Sequence, residues 1–454
     1  MILSQIHLDL DLLPGKKGVY FVGGTTRDLL LGRTPLDYDI TVSQNPEIFA
    51  EMTASRSHGR LIRMGRPGKQ SYRVVAGRTV LDITGINGPT IRHDLERRDV
   101  TINALAIEVD SGAILDWVEG RRDLLEKRIR MISEHNFQDD PIRLLRVFRL
   151  AAVLDFSIEE ETFAAVSEHA HRIRSSAGER IRTELHQLLH SRHSAPYVAM
   201  MAESGLLSAI MAGQKPVQKI QGDAMSSLRF CTIPAYTHLE NLLNHPPPEF
   251  PGNTSDWGLP AFQDRVAWQK LAMLLTPCPE GPSGNDEAVD RAESVCQRLR
   301  LSTKEKTFVT CMVRNHAHLH HLHDLFRQKS LSPRAVAKFF MAVESLTPHL
   351  LLHLLATTRS ASAHPDRNPA SLPDFVRHML HAYRKTYRPR KSLPPFVTGR
   401  DLQMLFGIAP SPLFKQVLTR IDEGRLSGEI ADRETALTFA AEMIQKFKNQ
   451  GNHM

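Results

Sequence analysis

The chain has 454 residues, 41% hydrophobic and 24% charged, enough for more than one domain with a sizeable core and unlike a disordered chain. Its formal charge of +7 favours a polyanionic partner. Four cysteines without metal-like spacing (Cys231, Cys278, Cys296, Cys311) argue against a disulfide scaffold, and no apolar window is long enough for a membrane span. The N-terminal MILSQIHLDLDLLPGKK carries acids inside its apolar run, unlike a signal peptide, so the expected compartment is the cytoplasm.

The segment from Val19 to Val42, VYFVGGTTRDLLLGRTPLDYDITV, is the most informative. An apolar run ends in Gly23-Gly24. Arg27 and Asp28 follow on an expected short helix, and a second β-rich run carries Asp37 and Asp39. Side chains at i and i+2 of a strand share a face, so the two carboxylates can share a site. Hard oxygen ligands in a pair suit Mg²⁺, which usually binds one or two carboxylates plus substrate phosphates. Glycines ahead of a helix N-terminus let backbone N–H groups approach a phosphate. Together these features read as a triphosphate-and-metal site. The string resembles the nucleotidyltransferases of the DNA polymerase β superfamily, and in particular the branch of class II tRNA nucleotidyltransferases and bacterial poly(A) polymerases.

Four further segments carry the same resemblance. In VLDITGINGPTIRHDLERRDVTINALA, residues 80–106, a strand over Thr79–Thr84 places Asp82 among apolar neighbours. A buried carboxylate needs a partner or a metal, which makes Asp82 a candidate third carboxylate. The resemblance implies that Arg98, Asp99 and Asn103 contact the nucleotide, Asp99 near the ribose. In a helix Asp99 and Asn103 would share a face. In DWVEGRRDLLEKRIR, residues 116–130, Asp116, Gly120 and Asp123 read as a structural turn.

Asp139-Asp140-Pro141-Ile142-Arg143 opens a predicted helix, with Asp as N-cap and Pro in the first turn. Asp139, Asp140 and Arg143 are spaced to project together. A carboxylate only accepts and a guanidinium only donates, so the set complements the donor–acceptor edge shared by cytosine and adenine and mismatches uracil and guanine. This resembles the base-reading template of the class II enzymes, which often has Glu where this chain has Asp139. The resemblance also implies a nucleotide-binding role for Arg146. GERIRTEL, residues 178–185, matches the last N-terminal motif, and Glu179, Arg180 and Arg182 are expected to support the base-reading helix.

The expected fold is α+β: a catalytic head of mixed sheet and helices over residues 1–132, a helical nucleotide-selecting domain over 133–210, and a helical body and tail over 211–454. His238 in YTHLENLL and the run KLAMLL before Thr276 resemble a His-Asp phosphohydrolase region, but LLTPCPEG lacks the His-Asp pair, so a non-hydrolytic remnant is expected. VTGRDL, residues 397–402, followed by LFGI, resembles the end of the same family branch, and a structural turn is expected there. His316, His320 and His323 fall at i, i+4 and i+7, and the expectation is a surface or RNA-facing stripe rather than a metal site.

The resemblance implies template-independent transfer of CMP and/or AMP from CTP and ATP to the 3′ end of tRNA. Asp37 and Asp39, with Asp82, would hold two Mg²⁺ ions. Gly23, Gly24, Arg27 and Asp28 would shape the triphosphate pocket. No membrane and no obligate protein partner are expected. The alternatives are a poly(A) polymerase and a CC-only or A-only adding enzyme. The absence of a long Lys/Arg-rich segment near Glu434 to Lys448 weighs toward tRNA.

Overall fold

A computed structural model describes residues 6–66, 69–212, 232–248, 250, 262–277, 285–360, 371–407 and 412–451. The chain divides into two compact units, Met1–Ala212 and Gly213–Met454.

The first unit opens with β1 (Val19–Val22), α1 (Gly23–Leu30), β2 (Tyr38–Val42), α2 (Pro46–Arg56), β3 (Arg60–Arg66), β4 (Lys69–Ala76) and β5 (Thr79–Gly85). Next come α3 (Ile91–Glu96), a 3-10 turn over Thr101–Asn103, β6 (Ala106–Glu108), β7 (Ile114–Leu115), α4 (Gly120–Leu125) and β8 (Arg128–Ile129). The sheet runs β3-β4-β5-β2-β1-β6-β7. Within this sheet β2 and β5 pair in parallel, with Asp39 opposite Asp82. That pair needs a crossover, which α2, β3 and β4 supply. Asn45 starts α2 by accepting from the N–H groups of Glu47 and Ile48, with Pro46 in the first turn. The helix buries Phe49 and Ala50 against Ile40, Tyr72, Val74, Leu81 and Ile83. The sheet is therefore packed under the strand ends that carry the carboxylates.

The helical part of this unit is α5 (Glu134–Asp139), α6 (Ile142–Leu154), β9 (Ser157–Ile158), α7 (Glu160–His169), α8 (Gly178–His190), α9 (Ala195–Glu203) and α10 (Leu206–Met211). Helix α6 is apolar over most of its surface, burying Leu144, Leu145, Val147, Phe148 and Leu150, and ends at Asp155 in the left-handed region. A helix apolar on most sides belongs inside a bundle.

The second unit is helical throughout its described residues: α11 (Ile233–Asn244), α12 (Phe262–Leu275), α13 (Asn285–Arg298), α14 (Thr303–Arg327), α15 (Pro333–Val343), α16 (Thr347–Ser360), α17 (Ser371–His381), a π-turn over Ala382–Tyr387, α18 (Arg388–Ser392), α19 (Gly399–Phe406), α20 (Pro412–Ser427) and α21 (Arg433–Gly451). Ser302 and Glu305 form a capping box at α14, and Thr398 and Asp401 form one at α19, the start of the VTGRDL segment. Pro389 lies in the first turn of α18. One described stretch, Pro333–Thr357, is long and apolar enough by composition to cross a membrane. It is divided by a 3-10 turn at Glu344–Leu346, and 72% of its apolar window is buried inside the protein, as in a core helix.

The histidine stripe on α14 departs from expectation. His316 and His323 are buried rather than on a wet surface. The His316 ring meets His320 at 4.5 Å and His353 of α16 at 5.2 Å. The reason is register: positions 309, 312, 313, 316, 319, 322 and 323 form the buried face of α14, and these two histidines fall on it. Thr276, where a His-Asp dyad was expected to be missing, bonds His353 Nε2 at 2.8 Å. Residues 278–281 of LLTPCPEG, Cys278 among them, and Cys231 lie outside the described residues. Cys296 and Cys311 are free thiols.

Candidate active site

The site forms where β1 gives way to α1. Gly23 has φ +60°, and a Cβ there would fall 2.9 Å from Arg98 Nη1 and 3.3 Å from Asp39 Oδ2. Only glycine accepts both that backbone and that proximity. The Gly24 N–H faces the Asp39 carboxylate. Burial raises Asp39 above the usual carboxylate range; Asp82 adds to the rise, while Arg98, the Gly24 N–H and Arg27 oppose it. A cation placed beside it would relieve the cost of keeping this carboxylate charged.

Asp37 is exposed and precedes the strand, which starts at Tyr38, so only Asp39 is a strand residue. Asp82 is on an interior strand, between β4 and β2. Arg73 of β4 holds both Asp82 oxygens, Nε to Oδ1 at 2.8 Å and Nη2 to Oδ2 at 2.7 Å. Among the described residues no three His, Cys, Asp or Glu side chains form a preformed metal cage. What the head offers is a carboxylate pair with a third carboxylate in register, and that donor set suits Mg²⁺ completed by substrate phosphates and water better than a cation caged by protein alone.

Around this pair lies a polar ring. Arg27 bonds its neighbour Asp28 at 2.9 Å and Asn103 Oδ1 at 3.0 Å. Arg98 pairs with Asp94 at 3.1 Å, and its Nε is buried without a hydrogen-bond partner among the described residues. The Nη1 end of the same guanidinium lies beside the Gly23 turn and brings positive charge to it. Asp99 and Asn103 do touch, Nδ2 to Oδ1 at 3.2 Å, but through the 3-10 turn rather than along an α-helix. Val100, between them, is extended and bridges to Met131, which ends α3 early.

Asp99 is buried and bonded to Arg146 at 2.6 Å. Burial alone would raise its pKa; the Arg146 guanidinium and the hydrogen bonds from Arg146, Asn103 and the Val100 N–H outweigh it and hold Asp99 well below the usual range. Arg146 reaches Glu184 of α8 at 3.2 Å, and Arg149 reaches the same carboxylate at 2.8 Å. This chain of charges ties Asp99 to α6 and α8.

The segment from Asp139 to Arg143 is built differently from its sequence expectation. Asp139 is the last residue of α5, Asp140 is extended (φ −145°, ψ 92°), and Pro141 starts α6 without a side-chain cap. A proline disfavours the helical region at the residue before it, so Asp140 breaks α5 from α6 and the i, i+3 and i, i+4 relations do not apply. Asp140 pairs with Arg180, Asp139 lies 3.7 Å from Arg97, and Arg143 donates to the Asn136 carbonyl at 3.1 Å. The three are still close enough that Asp140 and Asp139 act on Arg143, whose pKa burial lowers. Arg180 supports the segment, as expected. Asp116 is a turn residue, accepting from the N–H groups of Val118, Gly120 and Arg121, and buried Asp123 is held by Thr101, Arg128 and Arg130.

Arg73, Glu184 and Arg149 escaped sequence reasoning. Arg73 acts across the β4–β5 hairpin, and Glu184 and Arg149 meet between α8 and α6, distant in sequence. Asp94 was legible, four residues before Arg98 in an i, i+4 pair.

The family model described as "Poly A polymerase head domain" matches residues 19–130, and that of the "Probable RNA and SrmB- binding site of polymerase A" matches residues 155–217. A CC-adding tRNA nucleotidyltransferase of Synechocystis is 28% identical over 444 residues, covering 97% of this chain and 96% of its own. A CC-adding tRNA nucleotidyltransferase of Geobacter sulfurreducens is 39% identical over 197 residues, covering 43% of this chain and 46% of its own. A solved CCA-adding enzyme with CTP shares the fold at a TM-score of 0.68 and 22% identity, covering 98% of this chain and 97% of that one.

Proposed function

We propose, from the premise that this chain belongs to the family of class II tRNA nucleotidyltransferases and bacterial poly(A) polymerases, that it transfers CMP and/or AMP from CTP and ATP to the 3′ hydroxyl of tRNA. One observation carries the reading: Asp39, opposite Asp82 on the parallel β2–β5 pair, is held beside the Gly23-Gly24 turn by Arg98 and Arg27.

Asp37 and Asp39 are the residues that would hold Mg²⁺, two ions in the full site, with Asp82 available if Arg73 releases it. Bound there, the metal would neutralise the triphosphate and favour the ionised primer hydroxyl and the pyrophosphate leaving group. The chain's own groups do the rest. Gly23 and Gly24 bring backbone close to phosphate, and Arg27 and Arg98 supply positive charge. Asp28 orients Arg27. Asp99 accepts from the ribose, with Asn103 and Arg146 fixing its orientation. Asp140 and Arg143, with Asp139, present acceptors and donors to cytosine or adenine. Residues 1–132 act as catalytic head and 133–210 as nucleotide selector, while 211–454 hold RNA through phosphates. The compartment is the cytoplasm, and residues 211–454 carry no phosphohydrolase activity, since Thr276 stands where a dyad would be.

A CC-only adding enzyme is the second reading, favoured by the names of both relatives above. The chemistry is tested by Asp39→Ala, which should abolish incorporation and leave tRNA binding nearly intact. Near-normal turnover in that variant would reject the site.

A further inference from the structure

Thr25 is 1% exposed, and its hydroxyl makes two hydrogen bonds to one short segment. It accepts from the Asp39 N–H at 2.7 Å and donates to the Asp37 carbonyl at 3.2 Å. The reason lies in the sheet. β1 pairs with β2 only as far as Phe21 opposite Ile40, because the chain turns into α1 at Gly23. The ladder ends just short of the acidic pair. On a strand, the carbonyl of residue i and the N–H of residue i+2 point to the same side. An antiparallel continuation of β1 would satisfy them with its own C=O and N–H groups. A hydroxyl is both donor and acceptor and can satisfy both alone.

We infer that Thr25 is a positioning residue for transfer: its hydroxyl stands in for the missing strand and fixes the spacing of the Asp37 and Asp39 carboxylates. The inference rests on the proposed transferase reading. It assigns Thr25 a task that its neighbour does not share. Thr26 is equally buried, but its hydroxyl donates to the Phe21 carbonyl at 2.7 Å, within the turn from β1 to α1. Two adjacent buried threonines therefore separate a general structural role from a specific one. Asp37 is otherwise exposed, on a stretch from Arg33 to Asp37 without regular structure, so the bond from Thr25 is what ties its backbone to the helix.

The test compares Thr25→Val, Thr25→Ser and Thr26→Val in the full chain. Mn²⁺ binding to the CTP-loaded protein is read by electron paramagnetic resonance, and amide hydrogen exchange is read over residues 36–41 without metal. Thr25→Val should raise the Mn²⁺ dissociation constant at least about fivefold, the scale of one lost hydrogen bond, and speed exchange of the Asp39 amide. Thr25→Ser should stay within about twofold of wild type on both, since it keeps the hydroxyl. Thr26→Val should lower thermal stability and change neither. Wild-type behaviour of Thr25→Val, or an equal rise in Thr26→Val, would overturn the inference. If Thr25→Val does not fold, Thr25→Ala against Thr25→Ser makes the same comparison. If the wild-type protein itself binds no Mn²⁺, the transferase reading fails, and hydrogen exchange still decides the clamp.

Discussion

Arg180 closes on Asp140 with two parallel hydrogen bonds, Nη1 to Oδ1 at 2.9 Å and Nη2 to Oδ2 at 2.7 Å. The carboxylate proposed to read the base is thereby set by a residue on another helix. The Arg180 side chain is 54% exposed, so the pair contributes little to stability, about 0–1 kcal/mol. Its value is orientation. Arg180→Ala should leave the thermal midpoint within a few degrees while cutting the preference for CTP over UTP by at least about tenfold. Unchanged discrimination, measured as the ratio of kcat/KM values, would show that Asp140 does not need this partner.

Arg146 and Asp99 form the opposite case, a pair taken out of water. Arg146→Met leaves a buried carboxylate uncompensated and should cost about 3–5 kcal/mol at neutral pH. The pH dependence has a definite sign. In the wild type Asp99 sits below its unfolded pKa, so its contribution is present above about 3.9 and lost only as pH falls further. Without Arg146, burial raises Asp99 above its unfolded value, and the penalty grows as pH rises. The stability gap between variant and wild type should therefore narrow from pH 7.5 to pH 5 in urea unfolding. A constant gap would place the loss elsewhere.

The buried histidines of the second unit titrate in the other sense. Desolvation pushes His349 and His353 down to about 3, with Arg265 and His320 respectively adding to it, and lowers His316 as well. In the unfolded chain these rings take up protons near 6.5. Their stability is intact above that value and is lost as pH falls from about 6.5 toward 3, at about 1.4 kcal/mol per group per pH unit. Hydrogen exchange over Thr303–Ser360 should accelerate steeply between pH 6.5 and 5, after correction for the intrinsic rate. His353→Gln should flatten that slope, and a pH-independent opening equilibrium would contradict the assignment.

The sequence made the head legible because its signals are local. Gly-Gly at a strand end, Asp-x-Asp and the alternation over Thr79–Thr84 each report their own few residues, and the parallel pairing of Asp39 with Asp82 follows from strands that were already visible. The geometry of the segment from Asp139 to Arg143 was not legible: Pro141 favours a helix start, yet its effect on the residue before it, which holds Asp140 extended, decides the arrangement. Glu184 depends on register between α6 and α8, which no local pattern encodes; Arg73 needed the register of the β4–β5 hairpin, and Arg180 was legible as support but without its partner Asp140. The histidines misled because a period of i, i+4, i+7 marks a face without saying which face is buried; the apolar residues on that same face, Val309, Met312, Val313 and Leu319, carried the answer.

In the second unit Arg334, Lys415, Arg420 and Lys446 line a groove of about 690 Å³ with Phe439, over whose ring Arg334 lies at 5.7 Å. Basic groups beside an aromatic surface suit an RNA backbone. Lys415→Gln together with Lys446→Gln should weaken tRNA binding and reduce the slope of log K against log salt by about one for each lost contact. The same slope with weaker binding would mean that these lysines do not meet phosphate.

The central claim is transfer of a few defined nucleotides to a tRNA end, and product length measures it most directly. Purified protein is given tRNAs ending before CCA, after the first C and after CC, with CTP, ATP or both, beside an unstructured oligonucleotide. We expect addition that stops after at most three nucleotides on tRNA and is poor on the oligonucleotide, with products ending in CCA, or in CC without use of ATP for the CC-only reading. Long runs of A on the unstructured RNA would make the protein a poly(A) polymerase and contradict the claim.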